Sequence, residues 1–198
     1  MKVTILVFPG VEELDFVGFL EVLAVANRSM GMRWFDTQLV GTTKSTILCS
    51  GGLKVVPDTT VRSAVVGDMI FVPGGGSSRE TGVDVVARDE RVLRVLRTAE
   101  RQGKLVWSVC TGALVLGSAG LLKGRKAVTH HSVINKLQDF GAKPVRKRTV
   151  TDGKITTGGG ISSSIDVGLE LVRIKLGERV ASDVRKRMEY YPPPRNLR

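Results

Sequence analysis

Apolar runs of strand length alternate along the chain with stretches whose apolar residues recur every three or four positions. The first such pair predicts a strand over Lys2 to Phe8, closed by Pro9-Gly10, and a helix over Phe16 to Ala26 that ends near Met30-Gly31. The spacing of apolar residues predicts four further elements. They are a strand at Phe35 to Gly41, a hairpin on the sheet edge at Thr46 to Pro57, a buried strand at Met69 to Val72 and a helix at Asp89 to Arg101.

The second half of the chain continues the alternation. It predicts a strand over Lys104 to Val109 and then, in order, a helix at Ala113 to Leu122, a strand at Ala127 to His130, a helix at Ser132 to Phe140, a hairpin of Val145 to Val150 with Ile155 to Thr157, and a helix from Ser164 to about Leu176. Arg185-Lys186-Arg187 is placed in a late helix, and a short tail begins at Pro192.

This order predicts a single α/β domain over residues 1–191, followed by the tail 192–198. The expected architecture is a doubly wound, mostly parallel sheet flanked by helices, whose crevices form at the carboxyl ends of the strands. Three predicted strands end just before the loops that carry Asp15, Gly74-Gly75-Gly76 and Cys110. We therefore expect these residues to meet at one edge of the sheet.

Composition narrows the class of protein. The 198 residues are 42% hydrophobic and 25% charged, and no apolar run approaches the roughly 20 residues that span a bilayer, so membrane insertion is not expected. The N-terminus lacks the features of a signal peptide, and two cysteines imply no disulfide framework, which favours a cytoplasmic location. The net charge of +11 comes from short basic clusters without interleaved aromatic residues, so specific nucleic-acid binding is not expected.

Cys110 is the strongest candidate for chemistry. It follows a buried strand and precedes small residues that open a helix, which is the strand-turn-helix context of a nucleophile held in strained backbone geometry. Helix N–H groups at such a turn predict a lowered pKa for the thiol, and the thiolate is the nucleophilic form. The alternative is that Cys110 is only a small buried apolar residue.

Candidate partners for Cys110 come from the other two loops. Glycine at 74 and 75 lets a backbone N–H approach a substrate closely and, together with the Thr111 N–H, stabilise developing negative charge. Asp15 is a candidate proton donor, although Glu12 and Glu13 compete for that role and Asp15 is also placed to cap its helix.

The two histidines are adjacent. Any cysteine–histidine pair must use His130 or His131, and His130 is a candidate binding residue, although a core histidine with satisfied hydrogen bonds is its expected role. Two neighbouring histidines without clustered cysteines do not match the ligand spacing of a metal site. Gly74-Gly75-Gly76 also lacks the Lys-Ser/Thr ending of a nucleotide loop, so no metal and no nucleotide cofactor is expected.

Five motifs lie at the predicted strand ends and loops: Phe8-Pro9-Gly10 with Glu13-Leu14-Asp15, Val72-Pro73-Gly74-Gly75, Ser108 to Gly112, Thr129-His130 and Gly158-Gly159-Gly160-Ile161. Together they resemble the DJ-1/PfpI superfamily over nearly the whole chain. The run from Cys110 through Leu122, the segment Gly158 to Asp166 and the Glu189-Tyr190-Tyr191-Pro192 ending are similar to the isonitrile hydratase branch and to amidotransferase-like domains of AraC-type regulators.

The resemblance implies a flavodoxin-like homodimer with Cys110 as nucleophile, Asp15 as the neighbouring acid, and the N–H groups of Gly75 and Thr111 shaping an anion pocket. It implies conversion of an isonitrile, a small electrophile, and water to an N-substituted formamide, without a cofactor. Thr111 stands where the protease branch has histidine, which argues against peptidase activity, and His131 stands where relatives tend to have an aromatic residue. A ligand-sensing or redox-responsive domain, and a glyoxalase or deglycase of the same superfamily, remain the alternatives.

Overall fold

A central seven-stranded sheet organises the computed structural model, which describes residues 1–76, 78 and 81–191. Its strands are, in chain order, β1 (Lys2–Val7), β2 (Asp36–Gly41), β5 (Thr59–Thr60), β6 (Met69–Val72), β7 (Leu105–Ser108), β10 (Thr149–Asp152) and β11 (Ile155–Gly158). Across the sheet they lie in the order β10-β11-β7-β6-β1-β2-β5, and only β10 pairs antiparallel. The predicted doubly wound α/β fold is confirmed.

The described residues also form six α-helices and one 3₁₀ helix, of which the last two α-helices follow the final strand. They are α1 (Glu13–Met30), α2 (Val83–Val86), α3 (Glu90–Arg101), α4 (Gly112–Ser118), the 3₁₀ helix His131–Phe140, α5 (Ser163–Leu176) and α6 (Glu178–Arg187). Helices α1, α5 and α6 pack together, while α3 and α4 pack against β7. None of the helices in the described part of the chain is long and apolar enough to cross a bilayer.

The apolar runs of the sequence form the buried interior. Strand β6 is fully buried, and β1 is buried from Val3 onward, as expected for parallel strands covered on both faces. Phe19 of α1 stacks on Phe71 of β6 at 3.9 Å between ring centroids. This contact fixes the first turns of α1 over the centre of the sheet, close to the end of β6.

Several predicted elements differ in detail. The hairpin of β3 (Ile47–Leu48) and β4 (Lys54–Val55) forms its own two-stranded sheet, and β5 occupies the edge instead. The predicted strand Ala127 to His130 is wrong beyond its start, because only Lys126–Ala127 (β8) is extended in a ladder, paired with Lys143–Pro144 (β9). The helix after Cys110 ends at Ser118 rather than Leu122, and the next helix is 3₁₀ with a kink at Val133.

The strand order reverses direction between β1 and β6. Crossovers from β1 lead one way to β2, and crossovers from β6 lead the other way to β7. Ligands of open α/β sheets bind at such a reversal, outside the carboxyl ends of the strands. The loops after β1, β6, β7 and β11 all open at this edge, which positions the candidate site. The predicted tail 192–198 lies outside the described residues.

Candidate active site

Cys110 lies on a tight turn between β7 and α4. Its φ angle is +54°, a left-handed conformation that is rare for a residue with a side chain. The Cys110 N–H donates to the carbonyl oxygens of Gly159 (2.7 Å) and Gly158 (3.2 Å), and its own carbonyl accepts from the Thr129 hydroxyl at 2.7 Å. These three bonds hold the strained turn between strand and helix.

Gly112, two residues after the nucleophile, allows the turn to pack against the end of β6. A Cβ atom there would lie 2.3 Å from the Val72 carbonyl oxygen and 2.7 Å from that of Pro73. Only glycine fits at this approach, so the backbone of β6 fixes the height of the turn above the sheet.

Asp15 is the acidic residue that reaches the cysteine. It is fully buried in the first turn of α1, and its Oδ2 accepts from the Gly74 N–H at 2.7 Å. The Glu12 N–H in turn donates to the Gly74 carbonyl oxygen at 3.0 Å. The capping alternative is wrong, because Asp15 bonds to a different loop and Glu12, without a side-chain cap, occupies the N-cap position.

The other two carboxylates in this loop serve the β3-β4 hairpin. Glu13 accepts from the N–H groups of Gly51 (2.6 Å) and Leu53 (3.2 Å), and both glutamates accept from the Ser50 hydroxyl. Neither glutamate forms a hydrogen bond with Cys110 in the described part of the chain. Of the three acidic candidates, only Asp15 interacts with the thiol.

Burial is the main reason that the pKa of Asp15 is raised to about 7, and the charge of Glu12 raises it further. The hydrogen bond from the Gly74 N–H opposes both effects. The neighbouring Cys110 thiol also lowers this pKa, and the buried Oδ1 has no hydrogen-bond partner among the described residues. Oδ1 is therefore the oxygen available to exchange a proton with sulfur.

The thiol does not behave as the sequence predicted. Burial, followed by the charge of Asp15, raises the pKa of Cys110 to about 11, although hydrogen bonds from the Ile161 and Thr111 backbones and the Thr111 hydroxyl lower it. The prediction of a lowered pKa is wrong because a side chain only 5% exposed loses more hydration than the short helix α4 restores. Cys110 and Asp15 thus form a coupled pair that holds one proton between about pH 7 and about pH 11.

The backbone donors around the sulfur also differ from those expected. The Gly75 N–H donates to Thr111 Oγ1 at 3.0 Å, so it is already engaged, and Thr111 Oγ1 lies 3.1 Å from the Gly75 carbonyl oxygen. The donors to sulfur are the N–H groups of Thr111 and Ile161. Ile161 was part of the motif set but was given no role in the sequence analysis.

Neither histidine pairs with Cys110 among the described residues. His130 Nδ1 lies 2.8 Å from the Ser132 hydroxyl and accepts from the Ser132 N–H at 3.3 Å, so this ring caps the 3₁₀ helix. Burial and the neighbouring His131 lower the pKa of His130. The ring is half-buried rather than in the core, and its imidazole edge packs on Gly160. No group of side chains in the described part of the chain could ligate a metal ion.

Gly74 is a position where adding a single methyl group would disturb the surroundings of Cys110. A Cβ atom there would lie 2.7 Å from the Thr111 nitrogen and 2.8 Å from Cys110 Cβ. We expect Gly74→Ala to fold with a stability loss of about 1–3 kcal/mol and to displace the sulfur from its donors. Thermal unfolding and the rate of Cys110 alkylation by iodoacetamide check this, with Gly76→Ala as a control because a Cβ there meets no described residue within 4 Å. Equal alkylation rates of both variants would contradict it.

Comparison with known proteins agrees with this architecture. The model of the DJ-1/PfpI family matches residues 1–174. Isonitrile hydratase of Pseudomonas putida is 40% identical over 195 residues, covering 98% of this chain and 80% of that protein. The transcriptional regulator CdhR of Pseudomonas aeruginosa is 30% identical over 183 residues, covering 90% of this chain and 52% of the regulator. The crystal structure of a ThiJ/PfpI family protein from Pseudomonas syringae superposes with a TM-score of 0.86 at 31% identity, covering 98% of this chain and 77% of that one.

Proposed function

This chain belongs to the DJ-1/PfpI family, and we propose that it is an isonitrile hydratase, a lyase that adds water to an isonitrile to form an N-substituted formamide. The observation that carries the proposal is the Cys110–Asp15 pair: a strained, nearly buried thiol whose pKa is raised in part by the charge of a buried carboxyl, itself with a pKa of about 7 that suits proton transfer near neutrality. The similarity to isonitrile hydratase supplies the substrate class.

The first step joins sulfur to the terminal carbon of the isonitrile. In the singly protonated pair, the Asp15 carboxylate accepts the thiol proton as sulfur attacks, and the protonated carboxyl then delivers that proton to the former isonitrile carbon. The product is a thioimidate in which Cys110 Sγ is bonded to a CH=N group. The buried carboxyl returns to its ionised form, ready for water.

The second step releases the product. Asp15 takes a proton from a water molecule as that water adds to the thioimidate carbon, and the N–H groups of Thr111 and Ile161 stabilise the leaving thiolate. Breaking the carbon–sulfur bond, with one proton delivered to nitrogen, gives the formamide and regenerates the pair. The balance is one isonitrile and one water per formamide, so the cycle uses no cofactor.

The pH dependence follows from the shared proton. Below about pH 7 both Asp15 and Cys110 are protonated and no base is present, so we expect kcat/KM to rise as pH increases through about 7 and to stay high into the alkaline range. The pH profile should be measured with a neutral alkyl isonitrile. Such a substrate does not titrate, so the profile reports only the groups of the protein. An activity that falls as pH increases from 6 to 8 would contradict the assignment of Asp15 as the base.

Formamide production tests the function itself. We expect NMR to show conversion of cyclohexyl isonitrile to N-cyclohexylformamide by the wild-type chain and by Cys49→Ala. Cys49 is the matched control, since it is also buried and burial also raises its pKa to about 11, yet its charged neighbours are Glu13 and Glu12 rather than Asp15. Absence of turnover with a panel of isonitriles would overturn the hydratase.

The regulator similarity favours one competing function, a ligand-sensing or redox-responsive domain in which Cys110 binds or oxidises without turnover. Stoichiometric oxidation of Cys110 by dilute peroxide, with no turnover of isonitriles or 2-oxoaldehydes, would select the sensor. Steady conversion of 2-oxoaldehydes alone would instead select a glyoxalase-type enzyme.

We also infer that the chain is a cytoplasmic homodimer. Both cysteines are free thiols, a state that a reducing compartment maintains. Partly exposed apolar side chains surround the start of α1, and a second copy of the chain is the partner we propose for them. They are Leu14 and Val17 of α1, Leu48 and Leu53 of the hairpin that Glu13 binds, and Ile161. Sedimentation of the wild type as a dimer, and of Val17→Glu as a monomer, tests this surface.

A further inference from the structure

A cavity of about 420 Å³ opens beside the Cys110 turn, and the proposed reaction does not use it. It is lined by the loop after β11, by the segment between β9 and β10, and by the start of the 3₁₀ helix. Thr129 and Gly159, which bond to the Cys110 backbone, form part of its wall, but Cys110 itself does not line it. Small-molecule sites in proteins have volumes of roughly 300–1,000 Å³.

The lining is strongly basic. Arg146, Lys147 and Arg148 all contribute to it, together with His131, and no acidic residue does. The charge of Arg148 is already balanced by Asp166, which accepts from its Nε at 2.7 Å. Its Nη2 donates to the hydroxyls of Ser162 and Tyr190. Arg146 and Lys147 have no ion pair with any described residue. Two positive charges at the cavity are therefore uncompensated.

A buried hydroxyl provides a second, independent indication. Ser163 is only 2% exposed, lines the cavity at the first residue of the 14-residue helix α5, and its Oγ forms no hydrogen bond with another described residue. Because this residue is packed into the cavity wall and its hydroxyl has no partner among the described residues, the hydroxyl can donate to a ligand in the cavity. The N-terminus of α5 adds its own preference for negative charge at the same place.

The remaining lining determines what kind of anion fits. Val128 and Ile134 give the cavity an apolar portion beside the basic one, and the backbone bond from Gly159 to the Arg148 carbonyl (2.9 Å) fixes the basic segment against the glycine loop. A small inorganic ion would leave the apolar portion unfilled. An organic molecule with an oxyanion at one end satisfies both portions.

We propose that this cavity is a binding site for a small organic oxyanion, a carboxylate or phosphate ester with an apolar body. The oxyanion accepts from Ser163 and pairs with Arg146 and Lys147, and the body contacts Val128 and Ile134. The site is separate from the sulfur, so ligand binding persists in Cys110→Ala whether or not the chain hydrates isonitriles.

Isothermal titration of the full chain with phenyl phosphate, benzoate and inorganic phosphate tests the site. We expect 1:1 binding of the first two and weaker binding of inorganic phosphate, with the ranking of phenyl phosphate against benzoate identifying the preferred oxyanion. The double variant Arg146→Gln/Lys147→Gln is expected to weaken binding at least about 10-fold, and Ser163→Ala about 3-fold or more.

The matched control is Lys186→Gln/Arg187→Gln on α6, which removes the same charge from exposed positions that do not line the cavity. It should change affinity by less than about 2-fold, and melting temperatures should show that all variants fold. Absence of saturable binding, or equal losses in both double variants, would overturn the site. So would a DNA duplex that binds more tightly than phenyl phosphate and loses affinity in Arg146→Gln/Lys147→Gln, because that result identifies a nucleic-acid surface.

Discussion

Replacing Cys110 by serine is expected to lower isonitrile turnover by at least about 10⁴-fold, because the hydroxyl is a far weaker nucleophile and Asp15 is too weak a base to ionise it. Serine preserves the size of the side chain, so the bonds of the turn to Gly159 and Thr129 should persist. Steady-state formamide production measures the loss. A circular dichroism spectrum equal to that of the wild type shows that the fold is retained.

Cys49→Ala completes this comparison. Both thiols are buried and both have raised pKa values, so a loss caused by core packing alone would affect the two variants similarly. We expect near-normal turnover only in Cys49→Ala. Residual activity of Cys110→Ser within about 10-fold of the wild type would show that sulfur is not the nucleophile.

Replacing Asp15 by asparagine is expected to lower turnover about 100-fold or more, since the pair loses its base and proton donor. The rise of kcat/KM through about pH 7 should disappear as well. Asparagine can still accept from the Gly74 N–H, so the link between the two loops is retained. Retention of wild-type activity would remove Asp15 from the mechanism.

The same variant should be more stable than the wild type at pH 8. The folded-state pKa of Asp15, about 7, is above its unfolded value near 3.8, so its contribution to stability is complete below about pH 4 and is lost as pH rises through 7. Ionising the buried carboxyl costs about 2–4 kcal/mol at pH 8, a cost that asparagine avoids. Urea unfolding at pH 5 and pH 8 should show the gain mainly at the higher pH.

Thiol reactivity separates the two roles of Asp15. Its charge is one cause of the raised pKa of Cys110, after burial, so Asp15→Asn should alkylate faster with iodoacetamide at pH 9 while turning over isonitrile more slowly. Slower alkylation in Asp15→Asn would show that the shared proton rests on the carboxyl and the charge on sulfur.

The local pattern of the sequence predicted the architecture of the site well. A run of apolar residues that ends at small ones is sufficient to identify β7, the turn at Cys110 and the start of α4, because strand burial and turn chemistry are local properties. The order of strands then brings the loops after β1, β6 and β7 to one edge. Short elements such as α2 and β5 were missed, since four or fewer residues carry too little periodicity.

What the sequence could not predict depends on distant contacts. The choice of Asp15 over Glu12 and Glu13 follows from the angle at which α1 meets the Gly74 loop and the hairpin. The Ile161 N–H reaches the sulfur from a loop some fifty residues later, and the Thr111 hydroxyl occupies the Gly75 N–H. Whether the pKa of Cys110 is raised or lowered depends on how deeply the thiol is buried, which no local motif encodes.

The most direct test of the account is the mass of the intact protein quenched rapidly during turnover of an excess of cyclohexyl isonitrile. A covalent intermediate on Cys110 predicts a species heavier by one isonitrile, with the added mass on the peptide that contains Cys110 and none on the peptide that contains Cys49. Formamide production with Cys110 unmodified throughout, or an adduct confined to Cys49, would contradict nucleophilic catalysis by this sulfur.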